Sequence, residues 1–288
     1  MNKSKSKRRR RTLLIILALA IALAAIVIDS ANRLTVTSFE LSYENLPASF
    51  DGFKIVQLTD LHLHQFGEDN WRLVERVAEE KPDIIVLTGD FINRRLVDAQ
   101  MGQSEELRVF FKTLSELAPC YFVSGNHEWA SGEIDSLAAI LDEAGIRYLR
   151  NEYVRLEKQG ESIILAGVED PNGPVDMLKP DALVKNLHEE YPQSFVVFLG
   201  HRDNWLQKYP TLDVDLIFSG HAHGGVVRLP FIGGIFSTEY ELFPRYDAGL
   251  YNEGSYDFVL SRGLGNFNII PRFLNPPEIV SATLQTKN

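Results

Sequence analysis

The apolar positions of this chain form one long block, then a succession of short runs and helical stripes. The block comes first: residues 13–28 are 16 apolar positions without a break. Residues 35–43 alternate roughly at a period of two, the pattern of a strand. Residues 53–58 predict a second strand, and Trp71, Leu73, Val74 and Val77 follow at helical spacing up to Lys81-Pro82. Residues 84–87 predict a buried strand. Leu107, Phe110, Phe111, Leu114 and Leu117 mark a helix, 121–123 a strand, and Ile134, Leu137, Ile140 and Leu141 a helix stopped by Gly145. This alternation predicts a parallel sheet with right-handed crossovers. Residues 147–168 then read as short strands around Gly160. Leu183 and Leu187 suggest a helix, and 195–199 and 216–218 are further strands. The remainder, 226–284, is rich in Gly, Pro and aromatics, with strand-like runs at 257–260 and 279–284. No internal repeat interrupts this order, and beyond the apolar block it reads as one domain.

The residues that follow the strands carry the chemistry. The run at 216–218 continues as Ser219-Gly220-His221-Ala222-His223-Gly224-Gly225, where glycines on both sides let the backbone turn and aim two imidazoles out of the sheet edge. A lone pair of histidines there is as readily a plain turn. Four upstream strand ends supply matching pieces, however: Asp60 and His62, Asp90, Asn126 with His127, and His201. In open α/β sheets the carboxyl ends of the strands converge on one crevice. Six of the seven histidines lie in these segments, and only His188 lies elsewhere. Carboxylate, amide oxygen and imidazole together suit two borderline divalent cations such as Mn²⁺, Fe²⁺ or Zn²⁺. An all-oxygen Mg²⁺ or Ca²⁺ site would not use so many histidines. Asp90 follows Gly89 and is the natural carboxylate to bridge two ions about 3.5–4 Å apart, a pair that clamps the oxygens of an in-line displacement and acidifies a bound water. The implied reaction is hydrolysis of a phosphate ester with a metal hydroxide as nucleophile, and His127 is placed to protonate or hydrogen-bond the leaving-group oxygen. Other residues stay open. His64 lines the cleft or is a loop histidine. Arg202 faces a substrate phosphate or is a solvated loop arginine. Asn93 and Glu128 read as hydrogen-bonding partners in turns. Trp129, Phe231, Phe236, Tyr240, Phe243 and Tyr246 form an apolar patch near the site or belong to the core.

Charge and length add a location. The formal net charge of the 288 residues is -10, yet residues 1–11 carry three lysines and four arginines and no acid, so the rest is strongly acidic. An acidic body excludes an extended nucleic-acid-binding surface, which needs clustered Lys and Arg. The single cysteine, Cys120, excludes an intramolecular disulfide and a multi-cysteine zinc site, and reads as a buried small hydrophobe. The apolar block is near the shortest length that spans a bilayer. Two readings stand: a signal anchor that stays, with residues 1–11 as a cytoplasmic tail and 12–28 in the membrane, or a signal peptide that is removed, releasing a secreted body. The exit at 26–31 lacks a clean A-x-A pair, which favours the anchor. The positive charges before the block favour a cytoplasmic amino terminus, hence a single-pass protein of the cell membrane with its catalytic body on the extracytoplasmic side.

Five motifs taken together carry a resemblance. DLH at 60–62, GDFIN at 89–93, GNHE at 125–128, GH at 200–201 and GHAHGG at 220–225 resemble those of the calcineurin-like metallophosphoesterases. The N-terminal anchor, the RLP at 228–230, and the ending Ser261-Arg262-Gly263-Leu264-Gly265 with Asn275-Pro276-Pro277-Glu278-Ile279 resemble the bacterial membrane-associated phosphodiesterase branch. The resemblance covers roughly residues 34–285. It implies a four-layer α/β/β/α sandwich, beside one N-terminal transmembrane helix. It assigns Asp60, His62, Asp90 and His223 to one metal, Asp90, Asn126, His201 and His221 to the other, and makes His127 the catalytic histidine. Two positions depart from the pattern: Arg202 occurs where relatives often have a proline soon after the histidine, and Val226 stands where close relatives often carry glutamine. The expected function is a membrane-anchored dinuclear-metal phosphohydrolase acting on a phosphodiester, or on the pyrophosphate of a lipid-like or nucleotide-linked substrate such as a phospholipid or lipid-linked phosphate. The alternatives are a tethered nucleotide or general phosphodiesterase or phosphomonoesterase, and a non-catalytic metal-binding sensor or scaffold. A sensor would show a degenerate site, whereas all seven ligand positions and the catalytic-histidine position are filled.

Overall fold

The structure is a computed structural model that describes residues 2–94, 104–266 and 270–287. In chain order its elements are α1 (Asn2–Asn32), β1 (Thr35–Tyr43), β2 (Lys54–Leu58), α2 (Trp71–Glu80), β3 (Ile84–Leu87), α3 (Ser104–Leu117), β4 (Cys120–Phe122), α4 (Asn126–Ser131), α5 (Ile134–Glu143), β5 (Arg147–Tyr148), β6 (Glu152–Lys158), β7 (Glu161–Gly167), α6 (Pro180–Glu190), β8 (Val196–Leu199), α7 (Trp205–Lys208), β9 (Leu216–Ser219), β10 (Arg228–Leu229), β11 (Gly233–Gly234), β12 (Gly249–Tyr251), β13 (Asp257–Leu260) and β14 (Glu278–Thr286).

Two six-stranded sheets stack face to face. The first has the order β1-β14-β2-β3-β4-β5 and the second β12-β13-β9-β8-β7-β6. The apolar runs are unbroken because both faces of each sheet are covered. Alternation within a run decides which face a side chain serves. Ile55, Val86, Leu165, Val197, Phe218 and Val280 point into the layer between the sheets. Their neighbours Val56, Ile85 and Leu87 pack under α2, α3 and α5 against Val77, Phe110, Leu114 and Leu141. Ile164, Val196, Phe198 and Ile217 pack under α6 and α7 against Leu183, Leu187 and Trp205. The result is the four-layer α/β/β/α sandwich that the resemblance implies.

The stretch of strand–helix alternation does form parallel strands, as predicted, while the sheets as wholes are mixed because the strands outside it join in both senses. β2, β3, β4 and β5 run parallel, and so do β7, β8, β9 and β13, but β14 pairs antiparallel to β2 and parallel to β1. The last strand therefore returns to the interior of the first sheet, between the first two. Its register, Thr35 opposite Glu278, places the amino end of β1 beside the amino end of β14. Since β14 opposes β2, that end is also the one where β2 releases its carboxyl end. Helix α1 leads into β1 there, so it leaves the domain at the end of the first sheet where β2, β3 and β4 finish.

The apolar turns of α1 lie away from the rest of the chain. Leu13, Leu14, Ile16, Leu19, Ile21 and Leu23 are all more than half exposed. Residues 7–32 form one helix long and apolar enough to cross a membrane. An α-helix that is apolar all round and uncovered by its own chain needs a non-aqueous neighbour.

Candidate metal centre

Each candidate ligand leaves the carboxyl end of a strand. Asp60 and His62 follow β2, Asp90 follows β3, Asn126 opens α4 just after β4, His201 follows β8, and His221 and His223 follow β9. The two sheet edges are tied together at this end. Buried Gln57 donates through Nε2 to Ser219 O and to Thr88 Oγ1, each at 2.8 Å. Asp60, His62, Asp90, His221 and His223 hold φ between 47° and 73°, the left-handed region that a Cβ makes costly. Such strain persists only where the surroundings over-determine it, and it gathers at functional sites.

The source of that over-determination is visible. Fully buried Glu128 accepts from the N–H groups of Asp90 (2.8 Å), Phe91 (2.7 Å) and Gly125 (2.7 Å), and so clamps the loops after β3 and β4 together. Only glycine fits at 125, where a Cβ would lie 2.2 Å from Asp90 Oδ1. The loop after β2 is held from the other side by the chain entering β14. Leu264 and Gly265 donate to Thr59 O and Asp60 O at 3.0 and 2.6 Å. Asn275 Nδ2 donates to His223 O at 2.7 Å and to Val226 O at 2.9 Å. Buried Arg272 donates to the carbonyls of Gly265 and Arg262, each at 2.8 Å.

The seven side chains converge around Asp90. Its Oδ2 lies 3.2 Å from His201 Nε2, 3.7 Å from His62 Nε2 and 3.9 Å from His127 Nε2. On one side, His62 and His223 bring their Nε2 atoms to 3.1 Å, with His223 Nε2 3.6 Å from Asp60 Oδ1. On the other, His201 Nε2 lies 3.1 Å from Asn126 Oδ1 and 3.2 Å from His221 Nδ1. Donors that share an ion at about 2.1 Å stand roughly 3.0–3.5 Å apart, and several of these pairs lie at that spacing or a little beyond it, so the cluster is suited to divalent metal. Among the described residues, three clusters of side chains could hold a metal: Asp60, His62 and His223; His62, Asp90 and His127; and Asp90, His201 and His221.

Hydrogen bonds fix two of the rings. His201 Nδ1 lies 2.8 Å from Thr88 O, which only accepts, so Nδ1 carries a proton. His127 Nδ1 accepts from the N–H of Arg94 at 2.9 Å, so the proton of its neutral ring sits on Nε2, facing Asp90. Burial, and then the charge of Asp90, lifts Asp60 to about 7 against the pull of His201. Burial would push His201 down, but Asp90 and Asp60 outweigh it and hold it up at about 10. Burial drives His62 down to about 4, and His221 and His223 well below the ordinary range. The carboxylates therefore draw positive charge into the centre, while those three rings are neutral, the state in which imidazole ligates a metal.

Other residues are distributed around this core. Arg202 is not a solvated loop arginine: its side chain is 19% exposed, and Nε and Nη2 grip Asp170 at 2.6 and 3.1 Å. Its Nη1 lies 3.2 Å from His221 Nε2. Arg202, Asp90, His127, His221 and Tyr240 line a cleft of about 380 Å³. Asn93 donates to His62 O at 3.2 Å, and Glu128 is the clamp described above, so both act on turns. His64 stacks edge-on against Phe66 and joins none of the clusters. Val226 is buried beneath Asn275 and is absent from the cleft lining. The aromatic set divides: Tyr246 is buried and Trp129 donates to Ser124 Oγ, whereas Phe231, Tyr240 and Phe243 are exposed. Sequence reasoning missed Asp170, although it follows β7 as the other site residues follow their strands. It also gave no role to Arg272 and Asn275.

The calcineurin-like phosphoesterase profile matches residues 53–225, a stretch that begins just before β2 and ends with the second glycine after His223. The chain belongs to the calcineurin-like phosphoesterase family. As a member, it is a metal-dependent phosphoesterase, and divalent metals are what its Asp and His clusters are suited to hold. It is 33% identical over 268 residues to an uncharacterized metallophosphoesterase of Aquifex aeolicus, covering 88% of this chain and 93% of that one. It is 31% identical over 259 residues to the uncharacterized metallophosphoesterase YkuE of Bacillus subtilis, covering 88% and 87%. The UDP-2,3-diacylglucosamine pyrophosphatase LpxG of Chlamydia trachomatis is 25% identical over 295 residues, covering 86% and 88%.

Proposed function

We propose that this phosphoesterase is a membrane-anchored dinuclear enzyme acting on the phosphodiester or pyrophosphate of an amphiphilic compound. The observation that carries the dinuclear reading is the position of Asp90, whose carboxylate faces the His62 side and the His201 side at once. Asp60, His62, Asp90 and His223 would hold one ion, and Asp90, Asn126, His201 and His221 would hold the other. Mn²⁺, Fe²⁺ and Zn²⁺ are the ions this donor mixture suits. When bound, the pair supplies Lewis acidity and an activated water.

The chain's own groups do the rest. The Nε2 proton of His127 points into the cleft, where it meets the oxygen of a departing alcohol or phosphate. Arg202, locked on Asp170, presents its outer nitrogen to a phosphate oxygen next to His221, a use of its fixed fork that lysine cannot copy. Residues 1–11 form a cytoplasmic tail, 12–28 cross the membrane, and 34–285 make the catalytic domain on the extracytoplasmic side. The amphiphilic substrate rests on two supports: the uncovered apolar helix, and a Chlamydia relative named for a diacylated glucosamine nucleotide.

The test uses full-length protein in detergent, stripped of metal and reloaded with Mn²⁺. Bis-p-nitrophenyl phosphate, p-nitrophenyl phosphate and detergent-presented phospholipid are offered in parallel. Diester and lipid turnover, abolished by Asp90→Ala, is the expected result. Monoester turnover alone would move the substrate to phosphorylated small molecules. Turnover that survives Asp90→Ala would remove the bridging role.

A further inference from the structure

We infer that the segment 229–243 docks on the lipid bilayer beside α1, so that the mouth of the metal cleft faces the membrane surface; this rests on the reading of α1 as a membrane anchor. Three observations converge. First, Phe231 is fully exposed, and Ile232, Leu242 and Phe243 are each 60% exposed or more. Phe231 and Phe243 do so with φ of 66° and 54°, a conformation that bulky residues rarely adopt. An apolar cluster of this kind at the tip of a segment marks an interaction site, because a soluble surface does not ordinarily display it.

Second, the segment is tied to the point where α1 enters the domain. Val227 bridges to Phe273, Arg228 N donates to Phe273 O at 3.0 Å, and the next residue, Leu274, donates to Ser30 Oγ of α1 at 2.9 Å. Leu274 is 40% exposed, and Trp71, 55% exposed, adjoins Arg72, whose Nη2 donates to Asn32 O at 3.3 Å. An exposed tryptophan near a helix exit suits the lipid–water interface, where its amphipathic ring is at home. Third, the same segment lines the cleft through Thr238, Glu239 and Tyr240, so its tip and the cleft mouth are parts of one surface. The occupant is the bilayer that α1 enters, because the chain's own contacts tie this patch to the exit of that helix. Glu239 and Glu241 set the depth: carboxylates are costly in hydrocarbon, so the segment rests among the headgroups with only its apolar tips below them.

The test places a nitroxide on Phe231→Cys in the full-length chain, in lipid-only nanodiscs of phosphatidylcholine and phosphatidylglycerol. The native Cys120 is buried. Gln159→Cys, in the β6–β7 turn at the opposite end of the second sheet, is the control. Docking predicts that oxygen relaxes the label at 231 more than a water-soluble nickel chelate does, with the reverse at 159. Phe231→Ser combined with Phe243→Ser then lowers turnover of vesicle-presented phosphodiester by about tenfold, with turnover of soluble bis-p-nitrophenyl phosphate unchanged. A label at 231 as open to the nickel chelate as at 159, in protein that resists carbonate extraction, overturns the docking and leaves the anchor standing. That is also the outcome if a partner protein is the true occupant. Carbonate extraction of the chain from membranes overturns the anchor, and the docking with it.

Discussion

The two sides of Asp90 use similar ligands in different surroundings. Toward His62 and His223 the side chains share two carboxylates, Asp60 and Asp90, and the loops are braced by the segment entering β14. Toward His201 and His221 the oxygens are the shared carboxylate and the amide oxygen of Asn126, and the bracing comes from Thr88 O on His201, from Glu128 on the Asn126 loop, and from Asp60, which accepts from the His221 N–H at 3.0 Å. That side also carries Arg202, 3.2 Å from His221. Affinity for a hard or borderline dication rises with ligand charge, and a neighbouring guanidinium opposes it. On the proposed dinuclear reading, the first side would be the tighter metal position. On the same reading, the second is where a phosphate would meet both an ion and an arginine.

Replacing Asp90 should abolish the comparison, since both sides lean on it. Asp90→Asn should lower turnover by more than the roughly 10–100-fold typical of residues that merely orient ligands, and metal analysis should find less than one ion per chain. Retention of two ions would mean that the sides do not share it. Asn126→Ala should separate the sides. We expect one Mn²⁺ retained on dialysis and about 10–100-fold lower activity, recovered in part by excess metal. Loss of both ions together would show that the two positions load as a unit. Asn275→Ala addresses the braced side without touching a ligand. The carbonyls of His223 and Val226 lose their donor, at a cost of about 1–3 kcal/mol, and the tighter affinity should weaken while the looser one holds. Equal weakening of both would place the bracing on the whole centre.

The ligand loops were legible for a reason that the bracing was not. Asp60, Asp90, Asn126, His201 and His221 each follow a short buried run, and the parallel order of β2–β4 and β8–β9 brings strand ends to one edge whatever the details. Local pattern plus the crossover rule is sufficient there. Asn275 acts on the carbonyls of His223 and Val226, 52 and 49 positions away, and Arg272 is a buried arginine that grips the carbonyls of its own loop, a role that its charge alone does not announce. The pairing of β14 with both β1 and β2 is equally remote, since an apolar run carries no sign of its partners. Arg202 shows the same limit at short range: its charge was visible, but its confinement depends on Asp170, 32 residues earlier. The aromatic residues of 226–246 remained open for the opposite reason. Composition alone does not separate Tyr246, which is buried, from Phe231, which is not.

The smallest expected effect sharpens the comparison most, because it leaves every proposed ligand and the bracing of its loop in place. Arg202→Lys keeps a positive charge near His221 but loses the two-pronged grip on Asp170, so the ammonium is no longer held against the cleft. If Arg202 serves the phosphate, kcat/KM should fall by about tenfold, with most of the change in KM and the metal content unaltered. If it instead tempers the second metal position, removing the guanidinium should tighten that position, and Arg202→Ala should bind its weaker Mn²⁺ better than the parent chain does. The two roles thus move metal affinity differently. A titration of both variants with Mn²⁺, read beside their KM for bis-p-nitrophenyl phosphate, assigns the arginine to the substrate or to the metal.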